Sequence, residues 1–234
     1  MRTDERMTVY LRSLQSAPGP YLRALREQAV SDGVPIIRPE MESLLRMLLA
    51  ALRPKRILEV GTAVGYSALF MAECREDCCI TTIEKDPARC LAAGEHFSEN
   101  PCGDRITLLQ GDACLLLKDL AQAGEAYDFV FMDAAKGQYL HFLPEVLRLL
   151  VPGGMLVSDN VLQEGDIIES HYIVERRNRT IYKRMRDYLY ELTHHPCLVT
   201  TVLPVADGAA LSVRTEDAAG KDTEKDTEKD FENA

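Results

Sequence analysis

No uninterrupted apolar run in this 234-residue chain reaches the ~18 residues that a membrane-spanning helix requires. The opening residues, Met1-Arg2-Thr3-Asp4-Glu5-Arg6, are charged and lack the apolar stretch of a signal peptide. Both absences point to a cytoplasmic protein that does not engage membranes. The seven cysteines (Cys74, Cys78, Cys79, Cys90, Cys102, Cys114 and Cys197) contain no C-x-x-C pair, which argues against a zinc site. Odd in number and without an export signal, they are expected to be reduced and mostly buried. The G-x-G-x-x-G fingerprint of dinucleotide binding is also missing.

The 46% hydrophobic content is ample for a full core, and the length fits one large domain or one domain with tails. The net charge of −10 is unevenly spread. Glu216 to Ala234 holds eight acids and three lysines, a net of −5, whereas Tyr172 to Tyr190 holds six bases and two acids, a net of +4. The acidic segment repeats Lys-Asp-Thr-Glu and has little apolar area to offset ordering entropy, so residues 216–234 are expected to be a disordered tail.

Residues from about Met7 to Gln28 read as helical, broken near Pro18-Gly19-Pro20, and Glu40–Leu52 carries the helical apolar period. Residues 1–55 therefore form an N-terminal helical cap. Strand and helix then alternate. Strands are expected at Arg56–Val60, Cys79–Glu84, Ile106–Gln110, Phe129–Asp133 and Met155–Ser158, and helices at Pro87–Asn100, Ala113–Ala123 and Gln138–Leu150, with another starting near Tyr66. Alternation of this kind predicts an α/β fold with a parallel sheet covered on both faces, spanning residues 56–215. A basic helix, about Val174–His194, precedes two apolar runs, Leu198–Leu203 and Ala209–Val213. The connection from Pro204 to Gly208 is too short for a parallel crossover, so these two runs form an antiparallel hairpin.

Polar signatures stand where the strands stop, which is where open α/β sheets bind ligands. Gly61 and Gly65 follow the first strand and would let backbone approach a ligand, or simply make a tight turn. Glu84, 23 residues after Gly61, can accept two ribose hydroxyls or can serve as an acid at a helix N-terminus. Asp112 can receive an adenine amino group or can cap a helix. Asp133 and Asp159-Asn160 each follow a fully apolar strand, where a carboxylate is costly unless paired or bound to something. Two carboxylates and an amide carbonyl are hard oxygen ligands suited to Mg²⁺, while an Asx turn is the structural alternative for the second pair. Lys136 lies three residues beyond Asp133. Beside a divalent ion a lysine is pushed toward its neutral form and can act as a base; otherwise it is a surface lysine. His194-His195-Pro196 reads as a helix C-terminus complementing the dipole.

From about Val34 to Val213 the chain resembles the cation-dependent, S-adenosylmethionine-dependent O-methyltransferases of the catechol type. The resemblance rests on Ile57-Leu58-Glu59-Val60-Gly61-Thr62-Ala63-Val64-Gly65-Tyr66-Ser67, Asp133-Ala134-Ala135-Lys136-Gly137-Gln138-Tyr139, Pro152-Gly153-Gly154 and Asp159-Asn160-Val161-Leu162. Within that family the chain looks most like the bacterial tRNA 5-hydroxyuridine methyltransferases, through Val34-Pro35-Ile36-Ile37, the Lys-Gly-Gln-Tyr block, the basic helix and Leu203-Pro204-Val205-Ala206-Asp207-Gly208. Ile37 stands where that group would carry methionine, Ala206 where it would carry glycine, and the loop from Gly165 to Arg177 is longer than usual.

The resemblance implies a Rossmann-like methyltransferase fold, a seven-stranded sheet of order 3-2-1-4-5-7-6 with the last strand antiparallel. It implies that Gly61, Thr62 and Ser67 hold the methionine end of S-adenosylmethionine, with Ile37 nearby. Glu84 would hold the ribose, and Asp112 and Ala113 would meet the adenine. Asp133, Asp159 and Asn160 would bind Mg²⁺ or another divalent cation, with Asp133 also near the cofactor, and Lys136 would be the base. It further implies a homodimer in which the N-terminal helices join the interface. The expected activity is methylation of 5-hydroxyuridine to 5-methoxyuridine at the wobble position of tRNA, the alternative being O-methylation of a small catechol-like molecule. The metal triplet serves both, because each substrate offers two adjacent oxygens. The local positive charge favours tRNA, with Arg176, Arg177 and Lys183 as candidate phosphate contacts.

Overall fold

The computed structural model describes residues 5–162 and 179–216. Three helices open it: α1 (Glu5–Ser13), α2 (Pro20–Ser31) and α3 (Pro39–Leu52). Proline occupies the first position of α2 and α3, where its fixed φ suits the helix and its missing N–H costs nothing. The sheet then builds up as β1 (Arg56–Val60), α4 (Tyr66–Cys74), β2 (Cys79–Glu84), α5 (Pro87–Glu99), β3 (Ile106–Gln110), α6 (Ala113–Gln122), β4 (Tyr127–Met132), α7 (Tyr139–Leu149) and β5 (Leu150–Ser158). After α8 (Arg179–His194), β6 (Leu198–Leu203) and β7 (Ala209–Arg214) complete it. The strand order is β3-β2-β1-β4-β5-β7-β6, as expected. Strands β1 to β5 pair in parallel, and β7 runs antiparallel to both β5 and β6.

Both faces of the central strands are covered, so the two-residue side-chain alternation feeds two cores rather than one. Ile57, Phe129, Phe131 and Val157 point to the face packed by α2, α3, α4 and α5. Leu58, Val60, Val130, Met132 and Leu156 point to the face packed by α6, α7 and α8. Three polar groups link the cap to the first face. Tyr66, Arg26 and Glu42 share hydrogen bonds and an ion pair, which joins α2 and α3 to the start of α4. By contrast, no described side chain of α1 is buried: Met7, Tyr10 and Leu11, with Leu14 just beyond the helix, form an exposed stripe at helical spacing, and Arg12 ties the helix to Glu40.

Several expected boundaries shift. Asp133 lies just past β4, not within it, and β4 begins at Tyr127. Strand β5 starts at Leu150, five residues before the expected Met155, because a register irregularity between Tyr127 and Phe129 absorbs Pro152-Gly153-Gly154. The cysteines correct another expectation. All seven are free, but only Cys78 and Cys90 are buried; Cys79 is exposed and the rest are half-buried. No described helix is long and apolar enough to cross a membrane. The acidic tail beyond Glu216, together with Arg176 and Arg177, lies outside the described residues.

Candidate active site

The carboxyl ends of β1, β4 and β5 are stitched together by backbone bonds. The Asp133 N–H donates to Val60 O (3.0 Å), and the Asp159 N–H to Met132 O (2.9 Å). Tyr139, fully buried at the start of α7, reinforces the seam. Its hydroxyl accepts from the Ala134 N–H (3.2 Å) and faces the carbonyls of Met132 and Asp159, each at 3.1 Å. Sequence reasoning places Tyr139 in a motif but gives it no role. An aromatic residue at the start of an apolar helix looks like core until its hydroxyl partners are known.

Asp133, Asp159 and Asn160 do come together. Asn160 Nδ2 donates to Asp133 Oδ1 (2.9 Å), and the Asn160 backbone N–H donates to Asp159 Oδ1 (2.7 Å). Asn160 adopts a left-handed φ of +60°, a conformation that asparagine tolerates and that turns the chain sharply after β5. Burial pushes the Asp159 carboxyl up to about 7, and repulsion from Asp133 adds to it. Burial also raises Asp133, while Asn160 and Lys136 pull it back down. Among the described residues, each carboxylate keeps one oxygen without a protein donor. No three His, Cys, Asp or Glu side chains cluster among the described residues, so a cation here would take two carboxylates and the Asn160 carbonyl. Two hard, undercompensated carboxylates and an amide oxygen fit a divalent ion such as Mg²⁺. Lys136 opens a short 3-10 turn, Lys136–Gln138, on the rim of this group, near enough for its charge to act on both aspartates.

The glycine loop is closely packed against the protein itself. A Cβ on Gly61 would sit 2.0 Å from Asp133 O, and one on Gly65 would sit 2.5 Å from the Phe97 ring. Their φ values are +104° and +85°. Both glycines thus make room for the protein's own atoms, Gly61 for the end of β4 and Gly65 for the Phe97 ring of α5. Thr62 is likewise turned inward. Its N–H donates to Ile83 O (3.2 Å), and its hydroxyl shares a hydrogen bond with the Thr82 hydroxyl (2.6 Å). Thr82 in turn donates to Glu59, which is fully buried. Burial raises the Glu59 carboxyl to about 8, against the pull of the Ser67 and Thr82 hydroxyls. Ser67 and Ile37 are both buried beside this loop's helix and the cap core.

Glu84 holds the loop from the other side. Its carboxylate accepts the N–H groups of Ala63, Lys85 and Asp86, each at 2.9 Å. Those bonds occupy three of about four acceptor positions, so two ribose hydroxyls would have to compete for the remainder. Asp112 caps α6 through Oδ1 to the Cys114 N–H (2.9 Å), and its Oδ2 meets exposed Lys85 at 2.8 Å. Half-buried Ala113 is the first residue of that helix. Asp112 therefore fulfils the capping role, with an ion pair that solvent reaches. On the far side of the metal-type cluster, Arg184 of α8 donates to Gly137 O (3.1 Å), which sets the basic helix against the Lys136 turn. Arg186 is held by the Tyr182 hydroxyl (2.6 Å), and Lys183 is exposed.

Residues 13–215 match the model of a protein family described as O-methyltransferase. A relative from Mycolicibacterium vanbaalenii is 40% identical over 136 residues, spanning 57% of this chain and 59% of its own length. The catechol O-methyltransferase of Niastella koreensis is 28% identical over 166 residues, 69% of this chain and 75% of that one. Among solved structures, the SAH-bound methyltransferase PaMTH1 of Podospora anserina aligns with a TM-score of 0.80 at 25% identity, over 91% of this chain and 95% of that one.

Proposed function

We propose a reaction from a plain premise: the chain belongs to the O-methyltransferase family. It is an S-adenosylmethionine-dependent O-methyltransferase of the catechol type. The finer reading is that it converts 5-hydroxyuridine to 5-methoxyuridine in the tRNA anticodon. One observation carries that reading. The basic helix α8, which carries Arg179, Lys183, Arg184 and Arg186, is anchored through Arg184 on the Lys136 turn beside the acid cluster. A single-stranded anticodon could lay its phosphates there while one base enters the site.

In this reading the glycine loop, Glu84 and the Ile37 segment hold the cofactor, and Asp133, Asp159 and Asn160 hold a divalent ion. When bound, that ion acidifies and orients a hydroxyl that has a second oxygen on the adjacent carbon. Lys136 receives the hydroxyl proton. Bound S-adenosylmethionine would supply the methyl group, whose carbon would pass from sulfur to the hydroxyl oxygen and leave the C–S electron pair on a neutral thioether. Asp159 is buried and Asp133 and Asn160 are half-buried, so charges here count for more than they would in solvent.

A second reading, methylation of a small catechol-like molecule, draws support from the engagement of Arg184 and Arg186 within the chain. Nucleoside mass spectrometry of tRNA from a deletion strain separates the two. Accumulated 5-hydroxyuridine with missing 5-methoxyuridine supports the tRNA reading, and unchanged 5-methoxyuridine rejects it. We also propose a homodimer that covers the apolar stripe of α1. A nine-residue helix with no buried residue among its described side chains needs tertiary packing to persist. A concentration-independent monomer mass in sedimentation would reject this assembly.

A further inference from the structure

An ion pair joins the segment carrying Ile37 to the turn that holds the chain just after Asp159-Asn160. Arg38 is the N-cap residue of α3, and its Nη2 lies 2.8 Å from Oδ2 of Asp207, 169 positions along the chain. Asp207 sits in the turn between β6 and β7, where Ala206 and Gly208 take left-handed φ values of +52° and +90°. That turn is fastened to the chain just after Asn160. The Val161 N–H donates to Gly208 O (3.0 Å), and the Leu162 N–H donates to Asp207 O (2.8 Å). Gly208 is packed so tightly that a Cβ would lie 2.2 Å from Leu162 Cγ. Turn and acid-cluster segment therefore shift together, and Arg38 ties both to the cap.

The Arg38 side chain is 46% exposed and that of Asp207 only 12%. An exposed arginine in such a pair contributes little to global stability. What the pair does is geometric: it bridges two parts of the fold that share no strand pairing. We propose that Arg38 and Asp207 are positioning residues that fix the separation between the methyl donor and the accepting oxygen. This rests on the functional reading above, in which the Ile37 segment borders the cofactor and Asp159-Asn160 borders the acceptor. In-line transfer is intolerant of displacement, and a shift of about 1 Å can cost on the order of 10²-fold in rate.

The test compares the full chain with Arg38→Met, Asp207→Asn, Arg38→Lys and the charge-swapped double variant Arg38→Asp/Asp207→Arg. Turnover is followed with catechol and with 5-hydroxyuridine-containing tRNA, S-adenosylmethionine affinity by calorimetry, and stability by thermal melting. Arg38→Met and Asp207→Asn should each lower kcat by roughly 10- to 100-fold while cofactor Kd stays within about threefold and melting shifts little. Arg38→Lys and the swapped pair should recover most of the lost kcat. Single variants with kcat near wild type would overturn the proposal, as would a loss of kcat that merely tracks lost cofactor affinity and lost stability. A wild-type chain that fails to bind S-adenosylmethionine would overturn the functional reading and this proposal with it, so the two failures are distinguishable.

Discussion

Replacing Asp159 with asparagine should stabilise the metal-free protein, and only at high pH. Asp159 is 3% exposed, and burial, then repulsion from Asp133, raises it from the ordinary 3.8 to about 7. A carboxyl whose folded pKa is raised keeps its proton in the folded state after the unfolded chain has lost it. Its contribution to stability is thus fully present below about pH 4 and is lost as pH rises through about 7. Roughly three units at ~1.4 kcal/mol per unit give a charging penalty of about 4 kcal/mol above pH 8, an upper figure that relaxation will reduce. The substituted amide would keep the oxygen that accepts the Asn160 N–H and would carry no charge. Urea unfolding in excess chelator should show Asp159→Asn more stable by about 1–3 kcal/mol at pH 8.5, with the gap closing toward pH 4. Glu59 titrates in the same direction in both proteins, so the difference reports Asp159 together with its coupling to Asp133. Added Mg²⁺ should reverse the order by stabilising the wild type alone. A gap that does not change with pH, or a variant less stable than wild type at pH 8.5, would refute the claim that this carboxylate is held in the fold uncompensated.

Gly61→Ala should destabilise the chain by about 3 kcal/mol or more in urea titrations, since the new Cβ meets Asp133 O at 2.0 Å and the backbone φ is +104°. Cofactor affinity should fall with it, because the loop and the Asp133 end of β4 would be pushed apart together. Lys183→Ala should weaken tRNA binding and reduce the slope of log affinity against log salt by about one, while catechol turnover is unchanged. An unaltered salt slope would remove Lys183 from the RNA surface.

The strands were legible because their physics is local. β1, β2 and β3 have the bounds that their apolar runs and flanking turns predict, and the final hairpin follows from the short connection between Leu203 and Ala209. The sheet order came from resemblance, since nothing local says that β1 lies between β2 and β4. β5 shows where local signals mislead. The apolar run suggests a start at Met155, yet the sheet carries Pro152-Gly153-Gly154 as an irregularity, and a Cβ on Gly154 would lie 3.0 Å from Asp128 O.

The candidate site was legible as a set of strand ends and illegible as a set of contacts. Each carboxylate had two readings that differ only in what reaches its oxygens. For Asp112 that partner is three-dimensional but near in sequence, the Cys114 amide, so the capping alternative could be written in advance. For Glu84 one partner is Ala63, whose left-handed φ of +47° aims its N–H at the carboxylate, and no propensity predicts that conformation for alanine. The same limit explains the glycines. A conformationally free residue announces that something comes close, but the sequence does not say whether a ligand or the protein's own backbone arrives. Here Asp133 O fills the space at Gly61, so the loop that would cradle the cofactor and the aspartate that would hold the cation are braced against each other. A change at either should therefore register at both.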